Sequence, residues 1–138
     1  MKVIVDTCIW SEALRRSNRQ DSNLVAELSK LIKEVRVQLI GPIRQELLSG
    51  IKIEKQFTEL KHHLSVYSDM SIKTKDFEKA AEFFNTCRAK GIQGSNTDFL
   101  ICAVAFHHNL EIFTTDKDFI HFQKYIPVSL YKIRANKH

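Results

Sequence analysis

The sequence predicts an α/β fold built on a largely parallel sheet. Three observations carry that reading. Short apolar, β-branched runs alternate with longer stretches of helical periodicity. No tight hairpin turn joins one run to the next, so successive strands need crossover connections. Residues 99–106 are apolar without a break, as expected of a helix in the middle of the molecule.

Residues 2–5 read as a short buried strand, continuous and β-branched. Residues 7–16 can then turn into a helix. In residues 21–35, Leu24, Leu28, Leu31, Ile32 and Val35 recur at helical spacing, with Asp21 or Ser22 available as a cap. Residues 37–40 are a second strand. Gly41-Pro42 opens a short helix that Gly50 closes, the expected placement of Pro and Gly. Residues 53–64 and 75–90 are two further helices. The second has Thr74 as its cap, Asp76 and Glu78 in its first turn, Arg88 and Lys90 in its last, and Gly91 as its stop. After the loop Gly91-Ile92-Gln93-Gly94, Ser95 or Asn96 caps the apolar helix at residues 98–108. Residues 111–114 form a third strand, Thr114-Thr115-Asp116-Lys117-Asp118-Phe119 turns after it, and residues 128–133 form a last strand. The expected organisation is a single domain at residues 1–133 followed by a short basic tail at 134–138.

Bulk properties narrow the function. In 138 residues, 43% are hydrophobic and 27% charged, with four Gly and two Pro, a globular rather than disordered composition. The apolar run at 99–106 is far short of the roughly 20 residues of a membrane helix. The start of the chain offers no signal-peptide core, so a cytoplasmic location is expected. Cys8, Cys87 and Cys102 form no CxxC pair and read as small buried hydrophobes. His62-His63 and His107-His108 are adjacent pairs, whose rings diverge by about 100° on a helix. Neither thiols nor imidazoles are spaced for zinc.

Four acids stand in places that invite a cation. Asp6 follows the first strand and Asp116 the third, where residues of an open parallel sheet line the ligand crevice. Asp98 opens the apolar helix, where the helix dipole favours negative charge. Glu46 falls on or beside the inward face of its short helix. Each alone reads as a turn former, a cap, a first-turn acid or a solvated side chain; Asp118 reads as a cap of its own turn. Together they differ. Two carboxylates about 4 Å apart repel by roughly 4 kcal/mol at an effective dielectric of 20. Arg44 is a possible single partner, and a hard divalent cation with oxygen ligands, Mg²⁺ or Mn²⁺, resolves the remainder. Such an ion suits phosphodiester hydrolysis. Setting four site acids aside from 16 leaves 12 against 21 Lys and Arg, a surplus of nine and a basic surface for a polyanion.

The segments VIVDTCIWSEALR, GPIRQELLSGI, TDFLICAVA and IFTTDKDF resemble, in order, the four motif regions of PIN-domain ribonucleases, most closely the compact VapC-type toxins of type II toxin–antitoxin systems. The resemblance runs from residue 3 to Phe119 and implies a PIN-like α/β/α sandwich with a central, mainly parallel sheet. It implies that Asp6, Glu46, Asp98 and Asp116 are the catalytic and metal-binding acids, that Thr7 and Thr114 support them, and that Mg²⁺ or Mn²⁺ is the cofactor. It further implies endonucleolytic RNA cleavage, an antitoxin that blocks the site, and a homodimer. One departure is Ile101-Cys102-Ala103, where the family often has two small residues; it removes no ligand. Asp118 is left as an extra acid beside Asp116.

Trp10 reads as core packing rather than an RNA contact. Arg15 and Arg16 suit phosphate, antitoxin or solvent equally, and the apolar face of residues 24–35 is either core or a groove for an antitoxin helix. Competing readings are an RNA-processing or structure-specific nuclease without a toxin role, and a PIN-like module that only binds RNA or protein. A phospho-receiver is disfavoured, because residues 37–40 end in Gly41-Pro42 without an Asp.

Overall fold

Val3–Val5, the central strand β1, is completely buried and accounts for the layout of everything around it. The computed structural model describes residues 1–15 and 22–134; the expectations placed on Arg16, Asp21 and residues 135–138 lie outside them. In chain order β1 is followed by α1 (Thr7–Arg15), α2 (Asn23–Lys33), β2 (Val37–Gln38), α3 (Gly41–Leu48), α4 (Glu54–Leu64), α5 (Thr74–Ala89), α6 (Asn96–His108), β3 (Glu111–Phe113) and α7 (Asp118–Phe122). The strands form one parallel sheet in the order β2-β1-β3, sandwiched by helices as the sequence predicts. Helical crossovers make each parallel pairing possible and cover the faces of the sheet, which is why β1 has no polar side.

Register decides where the sheet ends. Val3, Ile4 and Val5 pair with Glu111, Ile112 and Phe113, and the Asp6 N–H donates to the Phe113 carbonyl at 2.9 Å. Asp6 and Thr114 therefore leave the sheet side by side. Val3 and Ile4 pair with Val37 and Gln38 on the other side, after which Leu39 and Ile40 lead directly into α3.

The strand expected at residues 128–133 is reduced to one parallel bridge, Ile112 to Leu130. Ile112 donates to Ser129 at 2.9 Å and accepts from Tyr131 at 2.8 Å, which uses up what three-residue β3 presents on that edge. Tyr131 then turns its hydroxyl to buried Glu27, and Arg134 bonds Glu27 at 2.8 Å and Glu34 at 2.9 Å. Arg134, assigned from sequence to the basic tail, is thus tied to α2.

Helix α6 is the apolar centre, with every residue from Phe99 to Ala105 buried. Trp10 lies in the core as expected, 6% exposed, its indole N–H on the Val5 carbonyl and its ring edge-on to Tyr67. Cys87 and Cys102 are fully buried, and Cys8 is not. Among the described residues no helix is long and apolar enough to cross a membrane.

Candidate active site

The carboxyl edge of the sheet brings Asp6, Asp98 and Asp116 into one neighbourhood by three local mechanisms. Asp6 is carried there by β1, 7% exposed, with both carboxylate oxygens committed. Its Oδ1 accepts from the Thr7 N–H at 2.8 Å, and its Oδ2 accepts from the Thr114 hydroxyl at 2.8 Å. The expected supporting hydroxyls are therefore in contact with the acids: Thr114 also accepts the Asp116 N–H at 3.0 Å, and the Thr7 hydroxyl donates to Glu46 at 3.1 Å.

Asp98 arrives on the first turn of α6. The Ser95 side chain accepts the Asp98 N–H at 3.0 Å and the Asp98 carboxylate accepts the Ser95 N–H at 3.3 Å, a reciprocal capping box that fixes the acid at the positive end of the helix. Burial pushes the Asp98 carboxyl up; its bonds to Ser95 oppose this, but the charges of Asp116 and Asp6 add to the rise.

Asp116 comes from the loop after β3. Its Oδ1 accepts the Asp118 N–H at 2.9 Å, so Asp116, rather than Asp118, caps α7. Asp118 is instead free to join the cluster: oxygens of Asp98, Asp116 and Asp118 lie within 4.8 Å of one another. Three carboxylates at that spacing could hold a hard divalent cation, and the fit rests on these oxygens alone.

Two expectations are corrected. Arg44 does not neutralise the acids; its guanidinium forks onto Asp69 at 3.1 Å and onto the carbonyls of Leu64 and Tyr67, which pins α3 to the segment after α4. Glu46 does not face inward but is exposed, because Ile43 and Leu47 occupy the buried stripe of α3. It reaches the site from the solvent side, through Thr7.

Cys8 was missed by sequence reasoning, which took it for a core hydrophobe. Its sulfur accepts from the N–H and hydroxyl of Thr115 at 3.4 Å, and lies 3.7 Å from Asp6 Oδ2 and 3.5 Å from the Thr114 hydroxyl. The signal available was its position two residues past Asp6 on the first turn of α1. Cys102, by contrast, is deep in α6, where burial and then Asp98 hold its thiol protonated.

The fold has known counterparts. FitAcB of Neisseria gonorrhoeae is 22% identical and superposes with a TM-score of 0.75 over 94% of this chain and 96% of its own. VapBC2 of Rickettsia felis, solved with a DNA fragment from its promoter, is 21% identical with a TM-score of 0.75 over 95% and 98%. VapBC-1 of nontypeable Haemophilus influenzae is 14% identical with a TM-score of 0.74 over 95% and 97%. At these identities the likeness is one of fold. No curated protein matches this sequence. The PIN domain matches residues 3–125, nearly the whole chain, and the chain belongs to the PIN-domain family.

Proposed function

We propose that this protein is a divalent-metal-dependent endoribonuclease that acts as the toxin of a toxin–antitoxin pair. The observation that carries the reading is the convergence of Asp98, Asp116 and Asp118 within 4.8 Å, beside an Asp6 whose two oxygens are held by Thr7 and Thr114. PIN-domain membership and fold-level likeness to toxin–antitoxin complexes support it.

In this reading Asp6, Asp98, Asp116 and Glu46 hold one or two Mg²⁺ or Mn²⁺ ions, with Asp118 as an additional donor. A bound ion supplies charge to the phosphoryl oxygens and acidity to the attacking water. The chain's own residues do the positioning. Thr7 and Thr114 fix the orientation of the Asp6 carboxylate by one hydrogen bond to each oxygen. The capping box holds Asp98, and the α7 cap holds Asp116. Exposed Glu46 closes the solvent side, and the basic surplus draws in the polyanion. An antitoxin covering the acids would silence the site, and a homodimer in the cytoplasm is the expected state.

The test is cleavage of total RNA by antitoxin-free protein with Mg²⁺ or Mn²⁺, with EDTA, and with Asp98→Asn. Endonucleolytic cuts that vanish in EDTA and in the variant are expected. Cuts that persist in both would overturn the assignment.

A further inference from the structure

The three cysteines of the chain are not alike. Cys87 and Cys102 are completely enclosed in the core, whereas Cys8 is half-buried on the first turn of α1, against the loop between β3 and α7. The metal-site reading gives it no task. Three backbone N–H groups from Thr115 to Asp118 bond to side chains: Asp118 to Asp116, Asp116 to Thr114, and Thr115 to the Cys8 sulfur at 3.4 Å. The first two bonds stay within the segment that follows β3. The third crosses to another element, and the Thr115 hydroxyl doubles it, also at 3.4 Å. In the other direction the Cys8 S–H donates to Asp6 Oδ2 at 3.7 Å, the same oxygen that accepts from Thr114 at 2.8 Å.

We infer that Cys8 is a positioning residue, which ties the loop bearing Asp116 to α1 and so fixes that acid relative to Asp6 for the divalent ion. The inference rests on the metal-nuclease reading and adds a residue to that site. Thr114 is the other link between the loop and Asp6, since it accepts the Asp116 N–H and donates to the Asp6 carboxylate. One link leaves a hinge; two links at successive residues hold the loop against rotation. A thiol is a weak acceptor, and Thr115 is exposed, so water can satisfy its N–H once the sulfur is gone. Water cannot anchor the loop to α1. Loss of the sulfur is therefore felt in ion affinity more than in folding, as for other groups that orient metal ligands without touching the metal. Plain space-filling is the competing role, and the experiment separates the two.

Mn²⁺ binding to antitoxin-free protein is titrated through the EPR signal of the free ion, and melting is recorded in EDTA. Cys8→Val keeps the bulk and removes the sulfur; its Mn²⁺ dissociation constant should rise by about tenfold or more, with its melting point close to that of wild type. Cys8→Ser, which keeps a polar acceptor, should restore binding to within about threefold of wild type. Thr115→Val, an exposed change that removes half of the tie, should weaken binding by about threefold and add nothing in the Cys8→Val background. Cys87→Ala, a vacancy in the core on α5, should lower the melting point and leave Mn²⁺ affinity unchanged. Wild-type affinity in Cys8→Val overturns the inference. So does a loss in Cys8→Ser as large as in Cys8→Val, or an equal loss in Cys87→Ala. Should Cys8→Val not fold, unchanged affinity in Thr115→Val overturns it instead. If wild-type protein binds Mn²⁺ with the expected pattern yet cuts no RNA, the nuclease reading fails and Cys8 keeps its role at the ion.

Discussion

The two ends of α6 treat carboxylates in opposite ways. At its N-terminus, Asp98 is half-buried, faces Asp116 and Asp6, and is raised by burial and by their charges. At its C-terminus, His107 bonds Asp76, which is 1% exposed and also accepts the Lys73 N–H at 2.8 Å. Burial pushes Asp76 up as well, but those two bonds and the neighbouring imidazoles outweigh it, and its carboxyl ends below its usual value. Glu27 repeats the second pattern, with Tyr131 and Arg134 outweighing its burial. Burial alone therefore does not mark a functional acid. What separates the two ends is whether the protein itself supplies partners that offset the burial of the charge.

The sharpest way to break this comparison is to neutralise one acid at each end. Asp116→Asn keeps the carbonyl that caps α7 but removes a charge from the cluster. RNA cleavage should fall by at least about a hundredfold, the equivalent of a few kcal/mol of lost charge stabilisation. In EDTA the same variant should melt at a higher temperature than wild type, because like charges are relieved, and its melting point should no longer rise with Mn²⁺. A lower melting point in EDTA would mean that the cluster is compensated internally.

Asp76→Asn should do the reverse: cleavage near wild type, with a stability loss of about 1–3 kcal/mol by urea unfolding, the cost of weakening a buried hydrogen-bonded pair. The sign with pH follows from its lowered folded-state value. Asp76 contributes its stability above its unfolded value of 3.8, and that contribution disappears as pH falls through the lower folded value. Unfolding curves between pH 2 and 6 should thus converge for wild type and variant at the acid end. Parallel curves throughout would show that the pair does not titrate with folding.

Gly94 tests the approach to the N-terminal end. A Cβ there would lie 2.5 Å from the Phe122 ring and 2.9 Å from Phe99, two fully packed aromatics. Gly94→Ala should cost about 1–3 kcal/mol as overpacking, measured by thermal or urea unfolding. An unchanged midpoint would mean that the Ser95 loop moves aside freely.

The smallest effect concerns how helices stop. Helix α6 ends on Asn109 with φ 54° and α5 is followed by Gly91 with φ 75°, both residues suited to the left-handed region. Helix α2 ends in the same bonding pattern, Arg36 N–H to the Leu31 carbonyl at 2.9 Å, but with Val35 at φ 57°. A β-branched residue there is strained, and its side chain is 77% exposed, so little packing is lost on removal. Val35→Gly should raise stability by about 1 kcal/mol in urea unfolding; a loss would reveal packing by Val35 that outweighs the strain.

The sequence by itself determined the elements and the order in which the acids meet them. Apolar periodicity, the Ser95 cap, the Gly91 stop and the unbroken run inside α6 are local signals, and the helices follow them to within a few residues. It also placed Asp6, Asp98 and Asp116 at element ends, where a parallel sheet must bring them to one edge. The tertiary structure alone decided which neighbours those acids meet. Pairing Val5 with Phe113 sets Asp6 against Thr114, and it brings Cys8 onto Thr115, more than a hundred residues along the chain. The crossing of α3 over the segment after α4 takes Arg44 to Asp69, and the buried stripe of Ile43 and Leu47 turns Glu46 to solvent. The cap formed by Asp116 frees Asp118 for the cluster. Periodicity and capping are encoded within one or two helical turns. Register and charge pairing join distant segments, and no spacing within a single segment can specify them.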